Sequence, residues 1–168
     1  MKLTSILALL LAAETTTLAL PVESQTPKPS ISKRSGDDYP YKNQCASADR
    51  VDRWHFYKCE CVSFVAWRIN QVLDIKFTNM YKGQHWGNAN LWDEAARKST
   101  GVKIDKKPKK NSVAQTDKSG SGLGHVAWVK SVSDDGKKVT VEEYNYKKDK
   151  YGTRTVGVGE FEWYIHLK

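Results

Sequence analysis

The stretch from Cys61 to Leu73, CVSFVAWRINQVL, places Val62, Val65, Ala66, Ile69 and Val72 at helical spacing, and Phe64, Trp67 and Leu73 widen the stripe. A helix that is apolar over most of its circumference must be covered on most sides, so this segment predicts a central helix wrapped by the remaining chain. That cover is legible further on. HVAWVKSV (125–132) and KVTVEEYNY (138–146) carry the β-branched and aromatic pattern of strands, and a polar turn with Asp135 and Gly136 joins them as a hairpin. NSVAQTD and FEWYIHL read as further short strands, with a basic connector containing Pro108 ahead of the first. NLWDEAARKSTG, through Leu91, Trp92, Ala95 and Ala96, reads as a second helix ending near Gly101. Helices first and strands later predict an α+β fold, N-terminal helices packed on an antiparallel β-sheet.

The ends of the chain bound where such a protein works. Leu3 to Ala13 is apolar after Met1 and Lys2, and small or hydroxylated residues follow to Ala19, which predicts a signal peptide over residues 1–19. Residues 20–34 carry Pro21, Pro27 and Pro29 without periodicity and end at the dibasic pair Lys33–Arg34. They read as a pro-segment with a kexin-type processing site, which points to a eukaryotic, fungal secretor. The domain then spans residues 35–168, expected as a monomer. Removing residues 1–34 leaves 23 basic against 17 acidic residues, so the net charge of +8 falls only to +6. A basic extracellular protein is drawn to anionic surfaces, including wall polymers. No basic motif specific for nucleic acid accompanies the charge, and no later stretch is long and apolar enough to span a membrane.

Three cysteines, Cys45, Cys59 and Cys61, leave one thiol over in an oxidising compartment. Cys45 can close a loop onto either of the other two; pairing with Cys59 leaves Cys61 free at the start of the helical pattern. A helix N-terminus and a nearby imidazolium are the surroundings that convert a thiol into a nucleophilic thiolate. His125 opens a strand directly after Gly122 and Gly124, whose missing side chains would let a substrate backbone approach the imidazole. Val139, Val141, Glu143 and Asn145 share one strand face by alternation, so either polar residue is placed to orient His125. Cysteine, histidine and an orienting polar group in that order are the parts of a cysteine hydrolase.

Beyond this chemistry, DDYPY (37–41), CVSFVAWRIN, WGNANLWDEAA (86–96), SVAQTDKSGSGLGHVAWV (112–129) and VTVEEYNY follow one another in an order that resembles the CHAP domain, the cysteine, histidine-dependent amidohydrolase/peptidase module. The resemblance implies a papain-like α+β fold and bacterial peptidoglycan as substrate, with no metal or organic cofactor. It implies Cys61 as nucleophile, His125 as base, Glu143 as the residue that orients it, and Asn145 as a fourth polar member near the oxyanion or the histidine. A nucleophilic Cys61 requires the Cys45–Cys59 bridge; a Cys45–Cys61 bridge would abolish activity. The chain departs from many members before the histidine strand, where it has Asn111, Ser112, Val113 and Ala114 in place of a Gly-Asp-Ile-like segment.

Around that core the expectations are plainer. Trp86 and Asn88, in a loop with Gly87, are candidate substrate-binding residues lining a cleft. Glu142 lies on the opposite strand face from Glu143 and is expected to be solvated. His55, His85 and His166 are given no role. Two other readings compete with a hydrolase that cuts the muramoyl-alanine amide or a stem or bridge peptide bond. One is a catalytically silent wall-binding or host-interaction module with an oxidised or buried Cys61. The other is a zinc hydrolase using Cys59, Cys61 and a histidine, for which the ligand spacing is poor.

Overall fold

The computed structural model describes residues 36–47 and 50–168, so the expected leader and pro-segment lie outside the described residues. The apolar stripe forms helix α1, Cys61–Arg68, with all eight side chains buried. It does not continue as one α-helix: Ile69–Leu73 forms a π-helical turn that stops at Asp74 in the left-handed region, φ 56°. Asn70 fixes that change of winding, its Nδ2 donating to the carbonyls of Ala66 at 2.8 Å and Phe77 at 2.9 Å. Phe64, Val65 and Ile69 are fully buried, and each such side chain contributes roughly 1.5–3 kcal/mol of hydrophobic stabilisation. The second helix, α2, spans Trp92–Lys98.

Six strands follow: β1 Lys103–Asp105, β2 Val113–Thr116, β3 His125–Val132, β4 Lys138–Lys147, β5 Lys150–Gly157 and β6 Trp163–His166. They form one sheet in the order β1-β6-β2-β3-β4-β5, every neighbouring pair antiparallel. The α+β architecture is therefore as expected, with two additions. β1 lies in what reads as a connector, and β5 in a stretch the sequence leaves unassigned. Both are edge strands. Helix α1 packs on β3 and β4, and α2 on β1 and β6. Strand alternation divides the core accordingly: Val126 and Trp128 join the helices on one face. Ala127, Val129, Val139 and Val141 join Phe161 and Tyr164 on the other.

That division corrects one expectation. Glu142 is on the opposite face from Glu143, but the face is covered by α1, so Glu142 is buried instead of solvated. Its Oε2 accepts from Nη2 of Arg68 in α1 at 2.8 Å and from the Tyr151 hydroxyl at 2.9 Å. A buried carboxylate needs such partners, and Arg68 also reaches Asp38 in the leading loop at 2.9 Å.

The loop ahead of α1 is ordered by its own polar groups. Asp52 Oδ1 accepts from the backbone N–H of Trp54 at 2.7 Å and of Phe56 at 3.0 Å. Its Oδ2 accepts from the Ser63 hydroxyl, to which the Tyr39 hydroxyl is in turn bonded. Cys45 and Cys59 form a disulfide across a sequence separation of 14, and Cys61 is a free thiol.

Candidate active site

Cys59 has a left-handed backbone, φ 64°, which a side chain bearing a Cβ adopts only when its surroundings hold it there. The disulfide and an N–H bond to the Tyr39 hydroxyl at 3.2 Å hold it. The chain turns there, Glu60 follows in an extended conformation, and Cys61 opens α1. The Glu60 side chain makes no capping bond to the helix, so the N–H groups of the first turn stay available near the thiol.

From the sheet side comes His125, the first residue of β3. Gly124 has φ +76°, and a Cβ there would lie 2.6 Å from the Asn90 nitrogen and 2.9 Å from the Thr116 carbonyl. The glycine thus admits the protein's own Ala89–Asn90 segment, and the expectation that it makes room for substrate backbone gives way to that tighter reason. Asn90 ties the segment down, its N–H donating to Leu123 O at 2.9 Å and its Nδ2 to Gly122 O at 3.0 Å.

His125 is only 6 % exposed. Its Nε2 lies 2.8 Å from Glu143 Oε2, so Nδ1 is the ring nitrogen not held by Glu143. Burial works against a charged ring, but hydrogen bonds to Cys61 and Glu143, with their charges, outweigh it and push the His125 pKa up to about 9. Glu143 is 1 % exposed. Burial alone would raise its pKa, yet the bonds from His125 and Arg154 overcome that and hold it below the ordinary carboxylate value. An ionised Glu143 can only accept, so Nε2–H donates to it. Arg154 Nε donates to the other oxygen, Oε1, at 2.7 Å. Its guanidinium also lies 4.0 Å from the centre of the Tyr146 ring, whose edge meets His125 at 5.7 Å between centroids.

The remaining expected residues separate. Cys61, His125, Asn145 and Asn88 line one open cleft of about 520 Å³, with Glu60, Tyr57 and Leu123 also in its wall. Asn145 does not reach His125. It sits at a β-bulge with φ 63°, where alternation fails, and its Nδ2 donates to Glu60 Oε2 at 2.7 Å. Trp86 is outside the cleft: it is fully buried against Phe77 and Trp92, at 4.9 Å and 5.3 Å between centroids, and its indole N–H donates to Tyr81 O at 3.1 Å. Loop position suggests exposure; packing against three aromatics, Phe77, Tyr81 and Trp92, decides otherwise. Arg154, on the unforeseen strand β5, and Glu60 are the two residues that sequence reasoning missed. A charged residue directly before the nucleophile was the only signal for Glu60, and none marked Arg154.

The sequence model of the CHAP domain matches residues 51–145, more than half of the chain. The chain belongs to the CHAP domain family. Among curated relatives, it is 45 % identical over 64 residues to a probable autolysin LDP of Staphylococcus aureus, covering 38 % of this chain and 22 % of that protein. It is 42 % identical over 64 residues to the staphylococcal secretory antigen SsaA of Staphylococcus epidermidis, covering 38 % and 23 %. It is 45 % identical over 62 residues to the N-acetylmuramoyl-L-alanine amidase sle1 of Staphylococcus aureus, covering 37 % and 17 %. The chain thus matches about a fifth of the length of these relatives. One solved structure, the crystal structure of Ly7917, aligns over 64 % of this chain and 53 % of its own at 16 % identity, with a TM-score of 0.44. The relatives named are staphylococcal, and the dibasic pair that pointed to a fungal source lies outside the described residues.

Proposed function

We propose that this CHAP domain is a secreted peptidoglycan hydrolase that cuts an amide bond of the bacterial wall with Cys61 as nucleophile. The observation that carries the reading is the state of the thiol. Cys59 is consumed in a disulfide, Cys61 is free and shares a cleft with His125, and His125, its pKa raised by Cys61 and Glu143, is bonded to an ionised Glu143. The proton rests on the ring and the sulfur attacks the amide carbonyl. First-turn N–H groups of α1 and one further donor hold the oxyanion, each worth on the order of 3 kcal/mol in the barrier. His125 gives its proton to the leaving amine as the C–N bond breaks, leaving a thioester. It then takes a proton from water, whose oxygen displaces the sulfur, and the imidazolium returns.

The names of the relatives, an autolysin and an N-acetylmuramoyl-L-alanine amidase, favour peptidoglycan and include the muramoyl-alanine amide among the candidate bonds. Secretion is supported by the leader pattern, the disulfide and the secretory name of one relative. The basic balance favours retention on anionic wall polymers.

The competing readings fare unequally. Cys59 in a disulfide removes the zinc hydrolase, which needed its thiolate. The silent module expected Cys61 oxidised or buried; Cys61 is only 7 % exposed, but it is a free thiol and lines the same cleft as His125, which favours hydrolysis.

Mass spectrometry of fragments released from purified peptidoglycan tests the proposal. New N-terminal alanines on the stem mean an amidase, and internal stem or bridge ends an endopeptidase. Cys61→Ala is expected to lower release at least about a thousandfold. Undiminished release by that variant overturns the cysteine mechanism.

A further inference from the structure

Among the described residues, Glu60 is the one carboxylate in the wall of the cleft, and no described lysine or arginine lines it. It is half-buried beside the nucleophile, and its Oε2 accepts from Asn145. Among the described residues no lysine or arginine lies within ion-pair distance of it, and it does not cap α1. A carboxylate at a helix start ordinarily serves the exposed N–H groups there. This one is turned instead toward Asn145, which occupies a left-handed position, φ 63°, at a bulge. Cys61 and His125 together carry no net charge whichever of them holds the shared proton, so Glu60 leaves the cleft with one net negative charge in a chain whose overall charge is +8. A lone anion in a substrate cleft is complementary to a cation carried by the substrate. Tyr57 and Leu123, both on the cleft wall and more than half exposed, offer apolar contact to an alkyl chain.

Resting on the hydrolase reading above, we propose that Glu60, held by Asn145, is a specificity site for a primary ammonium borne on an aliphatic chain close to the scissile amide. In peptidoglycan that chemistry has two sources: the side chain of the diamino acid in the stem, and the free N-terminus of an unlinked bridge peptide.

The test compares teichoic-acid-free peptidoglycan, untreated and amine-acetylated, with the wild-type chain and Glu60→Gln. Acetylation is expected to lower the wild-type kcat/KM on the order of tenfold. Glu60→Gln, which keeps an oxygen for Asn145, should lose about that factor on untreated substrate and almost nothing more on acetylated substrate. Two soluble muropeptides then locate the source, one whose single amine is the stem side chain and one whose single amine is the bridge terminus. The muropeptide that repeats the loss on acetylation identifies it. Equal hydrolysis of untreated and acetylated peptidoglycan by the wild type overturns this proposal alone. So does an equal loss by Glu60→Gln on both, which would mean that the carboxylate acts on the nucleophile and not on the substrate. A wild-type chain that cleaves neither removes the hydrolase reading, and this one with it.

Discussion

Two carboxylates are buried beside the Cys61–His125 pair, and the chain keeps them by opposite means. Asp52, 5 % exposed, is surrounded by two backbone N–H groups and the Ser63 hydroxyl, and no lysine or arginine among the described residues pairs with it. Burial therefore wins, and its pKa lies above the ordinary value. Glu143 is buried more deeply but is bonded by His125 and Arg154, and its pKa lies below the ordinary value. The first arrangement anchors the loop to α1 two residues beyond Cys61. The second keeps a negative charge behind the imidazole, where it stabilises the protonated ring. Hydrogen bonds to neutral donors are enough to fix geometry; holding a proton on His125 up to about pH 9 takes an ionised partner.

The largest effect should come from removing that charge. Glu143→Gln keeps the shape but withdraws the anion, and it is expected to lower kcat on the order of a thousandfold, about 4 kcal/mol of barrier. The pH profile gives the signature. In the wild type the ring stays protonated from its ordinary 6.5 up to about 9, so kcat/KM should hold to about pH 9 and fall beyond. The stability that His125 contributes is present below 6.5 and lost as pH rises through about 9. In Glu143→Gln the alkaline limb should move down from about 9, part of the way toward the ordinary 6.5, because Cys61 still raises the ring. A variant with an unmoved limb would show that Glu143 does not set the charge of the ring.

Asp52→Asn probes the other arrangement and should do the reverse. The Ser63 hydroxyl loses its acceptor in the interior, at a cost of about 1–3 kcal/mol of stability, while kcat changes less than about threefold. The two carboxylates also respond to acid with opposite signs. Glu143 contributes stability that is present above its ordinary 4.5 and lost as pH falls through its lower folded value. Asp52 takes up a proton more readily when folded, so its contribution is favourable in acid and lost as pH rises from its ordinary 3.8 through its higher folded value. Melting temperatures between pH 3 and 7 should therefore fall more steeply on acidification in Asp52→Asn, and less steeply in Glu143→Gln, than in the wild type. Matching slopes in the two variants would erase the distinction.

These two networks were unequally legible in the sequence. The helix, the β3–β4 hairpin and the order Cys61, His125, Glu143 depend on local periodicity, which survives in a single chain read in one dimension. What was missed depends on contacts across the fold. Trp86 looked like a loop residue because Gly87 and Asn88 follow it, and only the approach of Phe77 and Trp92 buries it. Alternation names the face of Glu142 without saying what covers it; Arg68 arrives from a helix 74 positions earlier. Asn145 left its expected row because the bulge breaks the period of two. Strand β5 carries glycines and charges on an edge, where half its backbone groups need no partner and the apolar signal fades.

The smallest effect, and the sharpest test of the comparison, belongs to Arg154 on that edge strand. Its side chain is 20 % exposed, and it holds Glu143 through Nε while Nη1 reaches Glu160 at 3.2 Å and the guanidinium plane covers Tyr146. It touches neither Cys61 nor His125, so it acts by positioning. In Arg154→Gln, Glu143 keeps His125 as partner but loses its second cation, and burial then counts for more in its titration. The expected outcome is a fall in kcat on the order of tenfold with KM little changed, and an alkaline limb moved part of the way that Glu143→Gln moves it. Arg154→Lys should recover part of the limb, since the charge returns, but less of the rate, since an ammonium lacks the directed Nε bond. A purely structural Arg154 would lower the melting temperature and leave the pH profile in place. If that is the result, the ionised state of Glu143 is maintained by His125 alone, and the contrast with Asp52 reduces to one hydrogen bond.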